Sequence, residues 1–173
     1  MEVWRAREGI SPPTGMTERF VARAGCHDVE DLFLSFYTRR LNYADIEPTA
    51  TIVFEAAVAG DLAARDILAA GGAFLASMVN AVARHLRMTS DAFDVVMAGS
   101  VFRGEGDTLS NALRAGVAEV CSKARCVMPV FQPVAGAVFM GMDAAGWTTA
   151  ARSRAFEESI DAAEVRFGVQ LRG

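Results

Sequence analysis

Two short segments of mostly apolar residues, separated by one helical segment, most constrain what this chain can fold into. Residues 93–98 are predicted to be a buried strand, and residues 126–128 a second short strand. Residues 107–122 have helical periodicity and connect the two strands, and another helix is predicted over residues 134–145. Strands joined through a crossover helix lie parallel in one sheet, with a right-handed connection. The sequence therefore predicts a small, mainly parallel sheet in the C-terminal half of the chain.

Helices are predicted to make up most of the remaining chain. Thr17, Asp28, Asp61 and Asp107 are predicted N-caps, because short polar side chains accept hydrogen bonds from the first N–H groups of a helix. The longest helix follows Asp61, where apolar residues recur at helical spacing as far as Leu86. A last helix over residues 149–164 and a weak edge strand over 165–171 are also predicted. The predicted fold class is α/β and helix-rich.

Prolines and glycines interrupt this helical pattern in two places. Residues 1–16 are predicted to be irregular, because Pro12 and Pro13 lack backbone donors and restrict the residues that precede them. Gly71 and Gly72 lie in the middle of the longest helix, where each costs about 1 kcal/mol relative to alanine. This pair predicts close packing of the helix against a neighbouring element.

Composition limits the classes of protein that the chain can belong to. Its 173 residues are 52% hydrophobic and 22% charged, which suits a packed globular core. The net charge of -4 argues against a nucleic-acid-binding surface, which needs excess positive charge. We see no uninterrupted apolar run as long as the roughly 18 residues of a membrane-spanning helix, and no apolar segment of a signal peptide near the N-terminus. A cytoplasmic protein without membrane contact is therefore predicted.

Several kinds of catalytic or metal site are excluded by residue type and spacing. The single lysine, Lys123, lies in Ser-Lys-Ala, so the chain has no phosphate-binding loop of the Gly-Lys-Ser/Thr type. The cysteines and histidines have neither the spacing of a disulfide framework nor that of a zinc site. These residues are Cys26, Cys121, Cys126, His27 and His85.

The turn after the first predicted strand is the best candidate for a ligand site. It contains Gly99, Ser100, Val101 and Arg103. In α/β sheets, ligands bind beyond the carboxyl ends of the strands, and a glycine there lets the backbone approach a ligand. The alternative is an ordinary tight turn between strand and helix. A dinucleotide-binding fingerprint is incomplete, because the third glycine is missing.

A second candidate lies at the predicted start of the helix near residue 134. Proline is favoured at the beginning of a helix, and Pro133 is followed closely by Gly136 and Ala137. Small residues in a first turn let either a ligand or a second helix come close. Dense packing is an equally good explanation of this pattern.

Four stretches occur in an order that is typical of one protein family. They are Met16-Thr17-Glu18-Arg19; Val53-Phe54-Glu55-Ala56-Ala57 with Gly60-Asp61 and Ala64-Arg65-Asp66-Ile67-Leu68; Met97-Ala98-Gly99-Ser100-Val101-Phe102-Arg103; and Pro133-Val134-Ala135-Gly136-Ala137. From about Thr17 to Gly146, the chain resembles the C-terminal part of the BadF/BadG/BcrA/BcrD ATPase and N-acetylglucosamine kinase family, within the sugar kinase/Hsp70/actin superfamily. Members of this family are two-domain ATP-dependent enzymes, with ATP and Mg²⁺ held between two RNase H-like domains.

The resemblance implies roles for both candidate sites. Gly99, Ser100 and Val101 match the loop that contacts the nucleoside part of ATP, and Arg103 borders that loop. Gly136 and Ala137 match the start of a connecting helix that forms part of the interdomain hinge. The sheet would belong to a partial RNase H-like, actin-like ATPase domain.

The resemblance also implies a reaction. The kinases of the family transfer a phosphoryl group from ATP to an amino sugar such as N-acetylglucosamine, using an aspartate base. A second branch couples ATP hydrolysis to electron transfer through an iron–sulfur cluster. Cys121 and Cys126 are predicted to be buried thiols rather than ligands of such a cluster.

This sequence departs from the family in lacking the phosphate loop with which the N-terminal domain begins. The aspartate base belongs to that domain as well, so no catalytic residue and no Mg²⁺ ligand are assigned. The predicted organisation is an irregular segment (1–16), the C-terminal kinase-like domain (17–146) and a helical extension (147–173). The predicted function is the ATP-binding half of an N-acetylglucosamine kinase-like protein, inactive without the other domain.

Two other hypotheses stay open. The first is a non-catalytic interaction domain that forms a homodimer or pairs with a companion subunit, because a small sheet leaves edges and apolar faces to be covered. The second is a small Rossmann-like protein that binds NAD at the turn containing Gly99.

Overall fold

A computed structural model of the chain describes residues 2–42, 49–131 and 133–147, together with residues 150, 154, 156, 158 and 159. It confirms a helix-rich α/β architecture with a small sheet of two parallel strands. The elements in chain order are α1 (Glu2–Arg7), α2 (Met16–Ala24), α3 (Val29–Tyr37), α4 (Ala50–Val58), α5 (Leu62–His85), β1 (Asp94–Val96), a 3₁₀ turn (Ser100–Arg103), α6 (Thr108–Ala118), β2 (Arg125–Val127) and α7 (Pro133–Ala144). The predicted edge strand at 165–171 lies outside the described residues.

Two of the predicted N-caps are confirmed. The Asp28 carboxylate accepts a hydrogen bond from the Asp31 N–H at 2.8 Å, and the Asp61 carboxylate accepts one from the Ala64 N–H at 3.0 Å. The prediction that Thr17 caps α2 is wrong, because α2 begins at Met16 and its N-cap is Gly15. Each confirmed cap satisfies a donor that the helix itself leaves unpaired.

The N-terminal segment, predicted to be irregular, contains the helix α1. An acidic residue in its first turn and basic residues in its last turn favour this helix, and Glu2 forms an ion pair with Arg5 at 3.4 Å. Trp4 stacks on Phe33 of α3, with ring centroids 4.6 Å apart, and Val3 is buried. Tertiary packing against α3 thus stabilises a helix that is too short to persist alone.

The contact of α5 with α6 is the most extensive between any two described helices. A Cβ added to Gly72 would lie 2.7 Å from the Ala112 Cβ, and one added to Gly116 would lie 2.7 Å from the Ala76 Cβ. Close packing is therefore confirmed for Gly72. It is not found for Gly71, where the nearest atom to an added Cβ is 3.8 Å away.

One hydrophobic cluster forms the core between the N-terminal helices, α5 and α6. Its buried members are Val3, Met16, Val29, Phe54, Ala56, Ala57, Ala64, Leu68 and Leu109. Buried Asn80 on α5 is satisfied within this part of the fold, because its side-chain amide donates to the Gly116 carbonyl at 2.8 Å. The core therefore fixes α5 and α6 against each other through both apolar and polar contacts.

β1 is shorter and more exposed than predicted, and β2 is displaced by one residue. β1 ends at Val96, and β2 covers Arg125–Val127 instead of residues 126–128. Asp94 and Val96 are exposed, so the prediction of a buried strand is wrong. The physical reason is the alternation of side chains along a strand, which places Asp94 and Val96 on the same face of β1, and this face is exposed.

The chain divides into two compact units. The first contains Met1–Val95 and Gly99–Arg125, and the second contains Val96–Ala98 and Cys126–Gly173. The second unit has its own apolar cluster, in which Phe156 packs against Phe139 with ring centroids 4.2 Å apart and against Phe131 at 5.2 Å. Phe156 lies in the predicted last helix, whose described residues are helical.

By length and composition, α5 could cross a membrane. The mean hydropathy of its most apolar 18-residue window is 1.5, and this differs from the expectation that the chain has no segment of this kind. Core helices of soluble proteins pass the same test, and one face of α5 is packed against α6. The absence of membrane contact stays a prediction.

Candidate functional site

Gly99 begins the turn that follows β1, and its backbone conformation requires glycine. Just before it, the N–H of buried Met97 donates to the Val127 carbonyl at 2.9 Å and extends the ladder of the sheet. Gly99 then has φ 119° and ψ 160°, a region that residues with a Cβ essentially avoid. A Cβ added to Gly99 would meet no atom within 4 Å. The constraint on this position is therefore the backbone and not the available space.

The rest of the turn is held in place by the core of the first unit. The Phe102 N–H donates to the Gly99 carbonyl at 3.2 Å, closing the 3₁₀ turn, and the Phe102 side chain packs against the main hydrophobic cluster. Gly104 follows directly, and a Cβ there would lie 2.6 Å from the Phe54 Cε1 of α4. The loop backbone is thus anchored by two aromatic side chains.

Three of the predicted nucleotide-binding side chains project from this anchored turn into solvent. Ser100, Val101 and Arg103 are all exposed. Within the described part of the chain, neither the Ser100 hydroxyl nor the Arg103 guanidinium has a hydrogen-bond partner. A hydroxyl, an apolar side chain and a permanent cation on one rigid turn can contact a ribose, a base and a phosphate, respectively.

Four residues separate the 3₁₀ turn from the first residue of α6. Asp107 occupies the N-cap position, but its side chain makes no capping hydrogen bond, so this predicted cap is wrong. Its φ of -107° and ψ of 3° differ from the extended backbone that a capping side chain requires. The Ser110 hydroxyl donates instead to the Asp107 carbonyl at 3.1 Å. The first N–H groups of α6 carry the positive end of the helix dipole.

The second candidate site lies in the first turn of α7. Gly136 and Ala137 are both exposed, and a Cβ added to Gly136 would meet no atom within 4 Å. Ala135, at 3% exposure, is the residue of this turn that packs into the core of its unit. Close packing therefore does not explain Gly136 in the described part of the chain. The hinge assignment stays a prediction.

The described residues contain no group of three or more histidine, cysteine or carboxylate side chains placed to hold a metal ion. Cys121 is fully buried, as predicted, and its thiol donates to the Asn80 side-chain carbonyl at 3.7 Å. Cys126 is half-buried in β2. Cys121 thus serves as a small core residue in a polar contact between α5 and the segment that follows α6.

A polar cluster at the junction of α2 and α3 was missed by sequence reasoning. The Arg40 guanidinium contacts both the Asp31 carboxylate and the Ser35 hydroxyl, and the Cys26 thiol lies 3.7 Å from the same hydroxyl. The hydrogen bond from the His27 N–H and the contact with Arg40 hold the pKa of the Asp31 carboxyl below its ordinary value. Ser35 is fully buried, and a buried hydroxyl needs a partner, but this burial is seen only in the structure, so the sequence carried no signal for the cluster. The cluster closes the turn between the two helices.

No protein-family model matches this chain, and no curated protein is significantly similar to it. The resemblance to N-acetylglucosamine kinases and BadF-type ATPases therefore depends on the quoted motifs alone.

Proposed function

We propose that this chain is the ATP-binding half of an N-acetylglucosamine kinase-like or BadF-type ATPase, with the adenine nucleotide held at the turn Gly99–Arg103. The conformation of Gly99 is the observation that carries this proposal. A glycine-only backbone at the carboxyl end of a parallel strand permits the close approach of a ligand. The finer fold assignment, a partial RNase H-like domain, belongs to the same proposal, as does a cytoplasmic location.

Each exposed residue of the turn has a distinct part in nucleotide binding. The backbone at Gly99 lies against the nucleoside, and the Ser100 hydroxyl hydrogen bonds its polar edge. Val101, which is 40% exposed, offers an apolar contact to the base. Arg103 supplies a permanent cation for a phosphate oxygen.

The complete reaction needs groups that the sequence does not supply. Phosphoryl transfer to an amino sugar requires a metal ion, a positioned γ-phosphate and a group that orients the nucleophile. The family resemblance assigns the base and the phosphate loop to the other domain. We therefore propose Mg·ATP binding without kinase activity for this chain on its own, and transfer to a sugar such as N-acetylglucosamine when the other domain is joined to it.

Isothermal titration calorimetry with Mg·ATP tests the proposal. We expect weak binding that Arg103→Ala reduces about tenfold, because a hydrogen bond to a charged group contributes about 1.5–3 kcal/mol. Arg114→Ala is the matched control, since Arg114 is an exposed arginine of α6 outside the turn. Gly99→Val should abolish binding because valine is strained at φ 119°.

Two outcomes would contradict nucleotide binding at this turn. One is that calorimetry detects no heat at millimolar Mg·ATP and that Gly99→Val changes the binding of no nucleotide tested. The other is binding that Arg103→Ala and Arg114→Ala weaken equally. Heat from NAD but not from ATP would favour the Rossmann-like alternative.

A second candidate function is a non-catalytic interaction domain. The observation that favours it is the large apolar surface of α5, where Phe74 is 65% exposed, Met78 53% and Val82 59%. Apolar residues that follow one helix face in this way are typical of a surface that a partner covers. Such a domain would form a homodimer or pair with a companion subunit.

A further inference from the structure

The two faces of α5 differ in what covers them. Ala64, Leu68, Gly72, Ala76, Asn80 and Ala83 are buried and turn toward the rest of the first unit. The outward face carries Ile67, Phe74, Met78 and Val82, which are exposed and separated by helical spacings. We call these four residues the outer stripe. It extends over about four helical turns, or roughly 22 Å.

Opposite charges lie at the two ends of α5, on the side of the helix between the outer stripe and the buried face. Asp66 is exposed in the first part of α5, and Arg84 is exposed in its last turn. The two residues are 18 positions apart, which is about five full turns, so they lie on the same side of the helix. Leu75 is the midpoint between them.

This arrangement is complementary to itself when the helix is reversed. A second α5 placed antiparallel, with the two-fold axis near Leu75, brings Asp66 of one copy beside the partner subunit's Arg84. The same operation places Phe74 against the partner subunit's Met78. Antiparallel helices also place the positive end of each dipole beside the negative end of the other. A parallel pair would instead bring like charges together.

A lipid bilayer is the less suitable cover for the outer stripe. Spanning a membrane would separate α5 from α6, and Asn80 would lose the Gly116 carbonyl to which it donates at 2.8 Å. It would also open the close contact at Gly72. A second copy of the chain covers the stripe and leaves all of these contacts intact.

We infer that two copies of this chain associate through the outer stripe of α5, antiparallel, with Asp66 and Arg84 pairing across the two-fold axis. This inference deepens the interaction-domain candidate and does not depend on nucleotide binding. The contact is isologous, so it forms a closed dimer and not a longer assembly.

Analytical ultracentrifugation of the full chain over a range of concentrations tests this interface. We expect a monomer–dimer equilibrium for the natural sequence and at least a tenfold larger dissociation constant for Phe74→Glu. Ile10→Glu is the matched control, because Ile10 is 64% exposed but lies outside α5. Circular dichroism verifies that each variant is folded.

Charge reversal supplies an independent readout of the antiparallel geometry. Asp66→Arg and Arg84→Asp should each weaken the dimer several-fold, and the double variant should restore it, since each pair then again joins opposite charges. A parallel dimer would show no such rescue.

Three results would overturn the inference. The first is a monomer at all concentrations, and the second is a dimer that Phe74→Glu leaves unchanged. The third is co-flotation of the natural chain with vesicles of mixed neutral and anionic lipid that Phe74→Glu abolishes. The second result would still leave an interaction domain that uses another face, so the two proposals fail separately.

Discussion

The Asp61 carboxylate accepts hydrogen bonds that connect two helices of this chain. One of its oxygens accepts the Ala64 N–H and caps α5, as its position in the sequence predicts. The other oxygen accepts the Thr14 hydroxyl and the Gly15 N–H, each at 2.8 Å, and so ties the start of α2 to the start of α5. Partial burial of Asp61 opposes its ionisation, but these donors outweigh burial and lower the pKa of the carboxyl.

Asp61→Ala should lower the free energy of unfolding by about 1–2 kcal/mol, the range for loss of an N-cap. The folded pKa is lowered, so the ionised carboxylate adds stability above its unfolded pKa of about 3.9, and this contribution is lost as the pH falls through the folded pKa. Urea denaturation at pH 7 and at pH 3 measures both effects. We expect the difference between the natural chain and the variant to shrink at pH 3.

Asp91→Ala is the control for this experiment, because Asp91 is an exposed carboxylate in a turn. It should change stability by less than about 0.5 kcal/mol at either pH. Equal losses in the two variants would show that Asp61 acts only through net charge.

Sequence separation decides which hydrogen bonds of Asp28 and Asp61 could be predicted. The caps at Asp28 and Asp61 involve donors three residues away, so a short window of sequence contains both partners. The Gly15 donor lies 46 residues from Asp61. Nothing in the local pattern specifies such a contact, because it depends on how the helices pack. The contact of Arg40 with Asp31 was not predicted for the same reason, since it too depends on how the chain folds back on itself.

At the scale of elements, the crossing of α5 over α6 depends on glycine at one position and not at its neighbour. Gly72 faces α6 directly, with the Ala112 Cβ 2.7 Å from an added methyl group. A methyl group added to Gly71 would lie 3.8 Å from the Leu109 Cδ1, which is an ordinary van der Waals contact. The two adjacent glycines therefore have opposite expected responses to the same substitution.

Gly72→Ala should destabilise the fold by about 1–3 kcal/mol, because the added methyl group overpacks a close helix contact. Gly71→Ala should leave stability unchanged or raise it by up to about 1 kcal/mol, because alanine has the higher helix propensity. Thermal unfolding of the two variants beside the natural chain measures the difference. A lower Tm for Gly71→Ala than for Gly72→Ala would contradict the described crossing.

The periodicity of the sequence predicted which segments are helices and strands better than it predicted which of them are buried. The strand–helix–strand–helix order and the parallel pairing were predicted from apolar runs and the crossover rule. The exposure of Asp94 and Val96 was not predicted, because an apolar run indicates a strand but not whether both faces of the sheet are covered. Similarly, α1 is stabilised by the stacking of Trp4 on Phe33, a contact between residues distant in sequence.

At the scale of the whole molecule, the sequence predicted where the turn at Gly99 lies but not its backbone conformation. The sequence indicated only that Gly99 would let the backbone approach a ligand, and the structure gives this residue a conformation that requires glycine. The class of ligand is not predictable from Ser100 and Arg103, because an exposed hydroxyl and a permanent cation suit several classes. The domain boundaries at residues 16 and 146 likewise stay predictions, whereas the contacts divide the chain within each of the two strands.

The aromatic cluster of Phe131, Phe139 and Phe156 lies entirely in the second unit. A substitution in this cluster should therefore destabilise the second unit and not the first. Phe156 is 6% exposed, and its described aromatic neighbours, Phe131 and Phe139, belong to the same unit. Phe156→Ala should cost this unit about 3 kcal/mol, as is usual for truncating a buried phenylalanine. Hydrogen exchange read by mass spectrometry should then show faster exchange in α7 and unchanged exchange in the middle of α5 and α6.

Val130→Ala is the matched control in the same unit, because Val130 is 70% exposed. It should leave exchange in α7 unchanged, since truncating an exposed side chain removes little packing. If Phe156→Ala accelerated exchange equally in α5, α6 and α7, the two units would unfold as one, and the division of the chain into two separately stabilised parts would be wrong. Acceleration confined to α7 would establish that the Gly72 crossing and the phenylalanine cluster stabilise different parts of the chain.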